Sequence, residues 1–414
     1  MIFIIKPINT FVVEINKEKM TRKFLIIMLC VVTAFTVSSQ QNVKPVTYPA
    51  ISMEPFGDGT RHWYMIFDKN NIVNAVPNQP KYTENEITNI ADNMLVYQRN
   101  NGGWPKNYDM QAILTPEQIK KLTDTRNELH TTFDNSTTYT HIEYLAKVYS
   151  ITHIAKYKIA CEKGIEFCLA AQYSNGGWPQ YFPIEPKNYS RRITYNDGAY
   201  LGVLKMLEKI VKKNSDFSFI SPKLQKRILI AYQKGLECIL KTQIVDNGRL
   251  TVWCQQHDEI TLQPAWARAF EPPSICNGES SDIVLYLMSI ENPDARIIKS
   301  VQSAVKWFQE SKIYNTRVET IKGTTVPSTY RTITNDKVVV IDSSAKPIWT
   351  RYYELGTDKP LFCDRNSKYL YSLAEVSRER RTGYGWYTYS PQNVLNRYAA
   401  WQKKWASNEN VLLK

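Results

Sequence analysis

Asn101-Gly-Gly-Trp-Pro105 recurs as Asn175-Gly-Gly-Trp-Pro179, 74 residues later, and a degraded copy, Asn247-Gly248 followed by Trp253, comes next. A repeat of this period signals supersecondary units that must stack to bury their apolar faces. Each copy follows a stretch with helical apolar spacing, at 87–98, 159–172 and 224–243, and a fourth such stretch lies at 297–309. In the second, Ala160, Ile165, Phe167, Cys168, Leu169 and Ala171 supply the apolar positions. Between the copies runs another kind of helix, over 134–149, 196–210 and 281–290. Each opens on small polar or acidic residues, which accept bonds from the free backbone N–H groups of a helix start. Helix–loop–helix units of about 70 residues that pack side by side predict an α/α toroid, an incomplete barrel of repeated helix pairs. An irregular helical bundle is the other arrangement of the same elements.

Residues 314–345 break the pattern. Val318-Glu-Thr-Ile321, Tyr330-Arg-Thr-Ile333 and Val338-Val-Val-Ile341 are β-branched runs interrupted by Gly323 and Pro327, which predicts a small β-rich insertion. No Gly/Ser linker divides the chain, so residues 40–414 are expected to form one domain.

The N-terminus reads as an export signal. Arg22 and Lys23 precede an apolar run over 24–37 that is short for a membrane span, and Val37-Ser38-Ser39 supplies small residues before Gln40. Residues 1–39 are therefore expected to be removed, leaving an exported protein, secreted or periplasmic, with no membrane span. That removal takes Lys6, Lys17, Lys19, Arg22 and Lys23 against Glu14 and Glu18, so the net charge of +13 falls to +10. A basic exported protein favours anionic partners, and the absence of Lys/Arg runs and nucleic-acid motifs leaves an acidic glycan ahead of nucleic acid. The 26 Tyr and 10 Trp suit the same partner, because flat amphipathic rings stack on pyranose faces. Six cysteines (Cys161, Cys168, Cys238, Cys254, Cys276 and Cys363) follow the signal without a CxxC pattern and are expected to be buried free thiols. A monomer is expected.

Asp134-Asn135, Asn196-Asp197, and Glu279 with Asp282 sit at equivalent positions of successive repeats. Equivalent helix ends of a toroid converge on one rim, so these groups either meet in one cleft or act as separate helix caps. Convergent carboxylates suit a hard cation such as Ca²⁺, which takes several oxygen ligands. Arg268, in Gln263-Pro-Ala-Trp-Ala-Arg268-Ala-Phe-Glu-Pro-Pro273, is a charge among apolar and proline residues, and Arg351 precedes Tyr352-Tyr353-Glu354. Guanidinium groups match carboxylates bidentately, so both are natural uronate clamps; a surface salt bridge is the plainer account of Arg268. His257 is either a group near the site or a structural histidine, and His141 is expected to be structural. No HExxH or HxxxH pattern supports zinc hydrolysis.

Five ordered segments carry a resemblance. They are Asn-Gly-Gly-Trp-Pro-Lys-Asn (101–107), Thr-Phe-Asp-Asn-Ser-Thr-Thr (132–138), Thr-Tyr-Asn-Asp-Gly (194–198), Trp266-Ala-Arg268-Ala-Phe-Glu-Pro272 and Arg351-Tyr-Tyr-Glu-Leu-Gly-Thr357. Across residues 85–405 the chain resembles the tenth polysaccharide lyase family, the pectate lyases with an α/α toroid. The resemblance implies Ca²⁺-assisted β-elimination of α-1,4-linked polygalacturonate, giving 4,5-unsaturated oligogalacturonides. It implies Arg268 as the base that takes the C5 proton of the galacturonate at the +1 subsite, and Asp134 and Asp197 as the carboxylates beside Ca²⁺. It further implies Asn135, Arg351, Lys106 and Thr138 as substrate contacts. Tyr139 departs from the pattern, since a small polar residue is expected there. Nearby Ca²⁺ would push the Arg268 pKa down and an alkaline medium would help, so an alkaline optimum is expected. Two other functions fit the same residues: a toroidal glycoside hydrolase with Asp134 and Asp197 as acid and base, and a non-catalytic acidic-glycan-binding protein.

Overall fold

The tryptophans of the repeat act as struts. Trp104, Trp178 and Trp253 are fully buried, and each indole N–H donates to a carbonyl of the helix before it, Met94, Cys168 and Ile239, at 2.7–2.9 Å. Trp349 does the same to Phe308 at 2.9 Å, a fourth copy that the Asn-Gly-Gly-Trp-Pro pattern does not reveal. A glutamine follows each of the first three helices and staples two repeats together. Gln98 donates to Gly102 O and Ala160 O, Gln172 to Gly176 O and Ala231 O, and Gln243 to Thr251 O and Ser300 O. Each amide gives its second bond to a carbonyl in the middle of the next unit's helix, which sets the spacing between units. Glycine is required where the units touch: Gly102 and Gly176 have φ of +93° and +97°, and a Cβ on Gly176 would stand 2.0 Å from Lys234 O.

These observations come from a computed structural model that describes residues 47–65, 71–328 and 332–413. The helices are α1 (Gly57–Met65), α2 (Ile87–Tyr97), α3 (Pro116–Asp124), α4 (Tyr139–Thr152), α5 (Ala155–Ala171), α6 (Ala199–Val211), α7 (Pro222–Thr242), α8 (Asn277–Met288), α9 (Ala295–Glu310), α10 (Arg378–Gly383) and α11 (Ser390–Trp405). Helices α2, α5, α7 and α9 are neighbours in one layer; α4, α6, α8 and α11 pack against them from the other side. The result is the expected α/α toroid. Starts are set by local chemistry: Ser221 caps α7 ahead of Pro222, and Asp294 caps α9 by accepting from the Arg296 and Ile297 amides. Helix α6 is buried almost all round, with Tyr200, Val203, Leu204, Met206 and Leu207 in the core.

The second helix type differs from expectation at its starts. Helix α4 begins at Tyr139 and α6 at Ala199, whereas α8 starts at Asn277 and so takes in Glu279. None of the acids caps its helix; the capping positions are Thr138, Gly198 and Cys276. Instead Asn135, Ser136, Thr138 and Asp197 carry φ of +50° to +69° in the turns ahead of α4 and α6. Non-glycine residues held there cost about 1–3 kcal/mol each, which suits a functional turn better than a routine cap.

The β-insertion is an antiparallel pair, Thr316–Pro327 with Thr332–Ile341, in register from Thr316↔Ile341 to Lys322↔Asn335 and then shifted before Val326. Gly323 does not end the strand. Its missing Cβ leaves room for the Arg378 guanidinium, which reaches Asn335 O at 2.9 Å and Thr324 O at 2.8 Å and ties the hairpin to α10. A four-stranded antiparallel sheet orders Tyr369–Leu370, Pro360–Cys363, Tyr352–Tyr353 and Ile275–Cys276. Beneath it a second core gathers Phe270, Tyr352, Phe362, Leu373 and Trp386, which fixes the loop bearing Arg268 and the strand after Arg351. The six cysteines among the described residues are buried and free. No helix among the described residues is long and apolar enough to cross a membrane. The expected export signal lies outside the described residues, and residues from Tyr48 onward form one compact unit.

Candidate active site

Asp134 sits in the turn before α4, buried, with Lys106 Nζ on its Oδ2 and its Oδ1 buried without a partner. Burial pulls the Lys106 pKa down, but the charge of Asp134 outweighs it and the ammonium is held firmly protonated. Asn135 donates to Asn107 Oδ1 at 2.8 Å and remains half-buried beside it. Asp197 reaches solvent from the turn before α6, yet its carboxyl is pushed up to about 6. Desolvation is the larger cause, and the charges of Asp134 and Glu279 add to it against Arg351 and Arg268. Four charged groups from four different segments therefore act on one carboxylate.

Arg351 is held inward. It donates to Asn196 Oδ1 at 3.1 Å, to Gln255 Oε1 at 3.0 and 3.3 Å, and to Glu279. Its guanidinium lies 4.7 Å from the Tyr384 ring centroid. Arg268 lies by the same ring, 5.9 Å from its centroid, and pairs with Glu271 through its backbone N–H at 3.1 Å, Nε at 2.8 Å and Nη2. The Tyr384 hydroxyl donates to Glu271 Oε1 at 2.7 Å and lies 2.7 Å from the Tyr352 hydroxyl. Tyr189 feels the charges of Arg268 and Glu271 as well as those of Lys106 and Asp134, so the two sides of the site face one another across it.

The protein's own groups hold the Arg268 pKa up: burial acts downward, but the hydrogen bonds and charge of Glu271 exceed it. One sequence expectation needs correction. Thr138 does not face a ligand, because it is fully buried and its hydroxyl bonds Thr132 O at 2.7 Å and accepts from the Trp104 amide at 3.3 Å. His257 is structural. Its Nε2 accepts from the Cys254 amide at 3.0 Å, Nδ1 lies 2.9 Å from Leu262 O, and burial lowers its pKa to about 4. His141 is likewise buried, stacked on Trp104 at 5.1 Å. Asp282 is exposed. Sequence reasoning left Glu271 without a role and missed Gln255 and Tyr384. Glu271 was readable, three residues after Arg268; nothing in the order of residues places Tyr384 beside two arginines.

The donor set fits a divalent cation: two neighbouring carboxylates, one with an orphaned buried oxygen and one whose ionisation its acidic neighbours oppose. Among the described residues no three His, Cys, Asp or Glu side chains gather tightly enough to form a metal cage.

Acids at the helix starts of a toroid with two arginines beside them suit an acidic polysaccharide, and relatedness places the chain among the polysaccharide lyases. The chain belongs to the pectic acid lyase family, whose profile matches residues 98–395. It is 30% identical to a Family 10 polysaccharide lyase from Cellvibrio cellulosa, with a TM-score of 0.61 over 77% of this chain and 95% of that one. A mutant of that enzyme in complex with trigalacturonic acid matches with the same identity and TM-score, over 77% and 96%. No curated protein sequence matches significantly.

Proposed function

We propose that this pectate lyase cleaves α-1,4-linked polygalacturonate by Ca²⁺-assisted β-elimination, with Arg268 as the base. The observation that carries the reading is the convergence of Arg268, Arg351, Asp134 and Glu279 on Asp197. Family membership favours this over a two-carboxylate hydrolase or a glycan binder, and the trigalacturonic acid complex of the Cellvibrio enzyme supports the substrate class.

A proton beside a carboxylate is weakly acidic because its removal adds a second negative charge. Asp134 and Asp197 would hold Ca²⁺, which supplies positive charge to the uronate carboxylate and so acidifies C5. Arg351, fixed by Glu279, Gln255 and Asn196, clamps the same carboxylate and stabilises the enolate-like charge. Asn135 and Lys106 contact substrate hydroxyls or carboxylates from the opposite wall. Arg268 takes the C5 proton; the C5–H electrons form the C4–C5 double bond, the C4–O4 bond breaks, and the leaving oxygen takes a proton from solvent. The products are 4,5-unsaturated oligogalacturonides. Because Arg268 must first lose a proton, activity rises on the alkaline side of neutrality; a rate maximum near pH 5 contradicts the assignment. Export after loss of residues 1–39 completes the proposal, supported by the basic and apolar pattern of residues 22–37.

The test is Arg268→Ala. Turnover of polygalacturonate falls by about 10³-fold or more while oligogalacturonate affinity by calorimetry stays within about threefold. Turnover near the wild-type rate removes Arg268 from the mechanism.

A further inference from the structure

Glu271 has no part in the steps above, yet it is the most heavily committed group beside the base. Its side chain is 2% exposed against 44% for Arg268, so the pair spans the wall of the site with its acid inside. It accepts from three donors of Arg268 and from the Tyr384 hydroxyl. The grip takes the Nε–Nη2 edge of the guanidinium and leaves Nη1 outside it. An exposed Lys or Arg on a surface has many rotamers; one held through its backbone N–H, Nε and Nη2 by a buried carboxylate has very few.

We infer that Glu271 is the positioning residue of the proton-abstracting arginine, aiming Nη1 at substrate and setting, through its negative charge, how alkaline the medium must be before Arg268 serves as a base. The inference rests on the Arg268 assignment proposed above. A carboxylate in this contact stabilises the guanidinium cation, in keeping with the upward shift at Arg268 and with Glu271 itself held down to about 2 despite its burial. The grip therefore has two opposed effects, orientation that favours transfer and charge that delays it. The other groups facing the pair are Tyr189 from the turn before Arg191, Tyr384 and Tyr352, Gln255, and Asp197 across the site. Arg365 and Arg380 share the Phe270 ring with Arg268, and both pair with Glu379.

Two substitutions separate charge from reach. Glu271→Gln keeps the shape and an acceptor oxygen but removes the charge: the pH–rate profile moves about one unit or more toward neutral, with kcat lowered about tenfold at its maximum and KM changed less than about threefold. Glu271→Asp keeps the charge and shortens the reach: kcat falls while the profile stays where it was. Tyr384→Phe, which removes a donor from Glu271 and leaves its charge freer to hold Arg268, moves the profile the opposite way and serves if the glutamine variant does not fold. A Glu271→Gln profile that superimposes on wild type, an aspartate variant that shifts as the glutamine does, or a Tyr384→Phe shift toward neutral overturns the inference. Arg268→Ala measured alongside tells the two failures apart: if it is inactive while the Glu271 profiles do not move, the base stands and only this role of Glu271 falls.

Discussion

Arg268 faces two demands: exposure to substrate and restraint by Glu271. The sequence exposed it as a charge in an apolar, proline-rich loop, but its partner's effect on protonation depends on depth, since Glu271 is buried and Arg268 is not. The acids were legible as residues and not as roles: the helical reading made Asp134 and Asp197 capping candidates, whereas strained turns present them instead. Thr138 failed as a contact because neighbours in a motif need not share a face. His257 gives a prediction at this scale. Neutral and buried, it has a pKa near 4, below the usual 6.5, so its contribution to stability is complete above about pH 6.5 and is lost as pH falls toward 4. The loss approaches roughly 3 kcal/mol. Thermal melts from pH 7.5 to 4.5 show this slope, and His257→Gln flattens it; an unchanged slope in the variant excludes His257 as its source.

Repeated elements show why so much of the fold was readable. Gln98, Gln172 and Gln243 end their helices at the boundaries expected from apolar spacing, because the same residue that leaves the helix must bridge to the next unit. The fourth unit kept its tryptophan strut and lost the Gly-Gly pair, so pattern matching ended at Trp253 while the architecture ran on to Trp349. Gly176 and Gly248 provide a controlled comparison. Both have positive φ, but a Cβ on Gly176 meets Lys234 O at 2.0 Å and one on Gly248 meets nothing within 4 Å. Gly248→Ala is expected to cost about 1 kcal/mol and Gly176→Ala about 4 kcal/mol, read from denaturant midpoints at constant slope. Equal costs would mean that the close approach between the units relaxes freely. Gln172→Ala, which removes the bonds to the Gly176 and Ala231 carbonyls, is expected to cost about 1–3 kcal/mol in the same assay.

For the whole molecule, the toroid brings the turns before α4 and α6, the start of α8, the Arg268 loop and the strand after Arg351 to one place, although Asp134 and Arg351 lie more than half the chain apart. Spacing alone gave the equivalence of the acids; the arginines, which lie outside the repeated helices, could be placed beside them only by resemblance to a family. The Gln255–Tyr384–Tyr352 network that sets Arg351 escaped both routes, because a buried hydroxyl in a tyrosine-rich chain carries no local mark. The central claim is that a basic arginine and cation-holding acids act on a single uronate. Its most direct measurement is ultraviolet absorbance of the C4–C5 double bond during incubation with polygalacturonate at alkaline pH, with Ca²⁺ and with chelator, for wild type and Arg268→Ala. The account predicts a steady rise for wild type with Ca²⁺, lost on chelation and lost in the variant. New reducing ends without that absorbance, or a rise that survives both treatments, would contradict it.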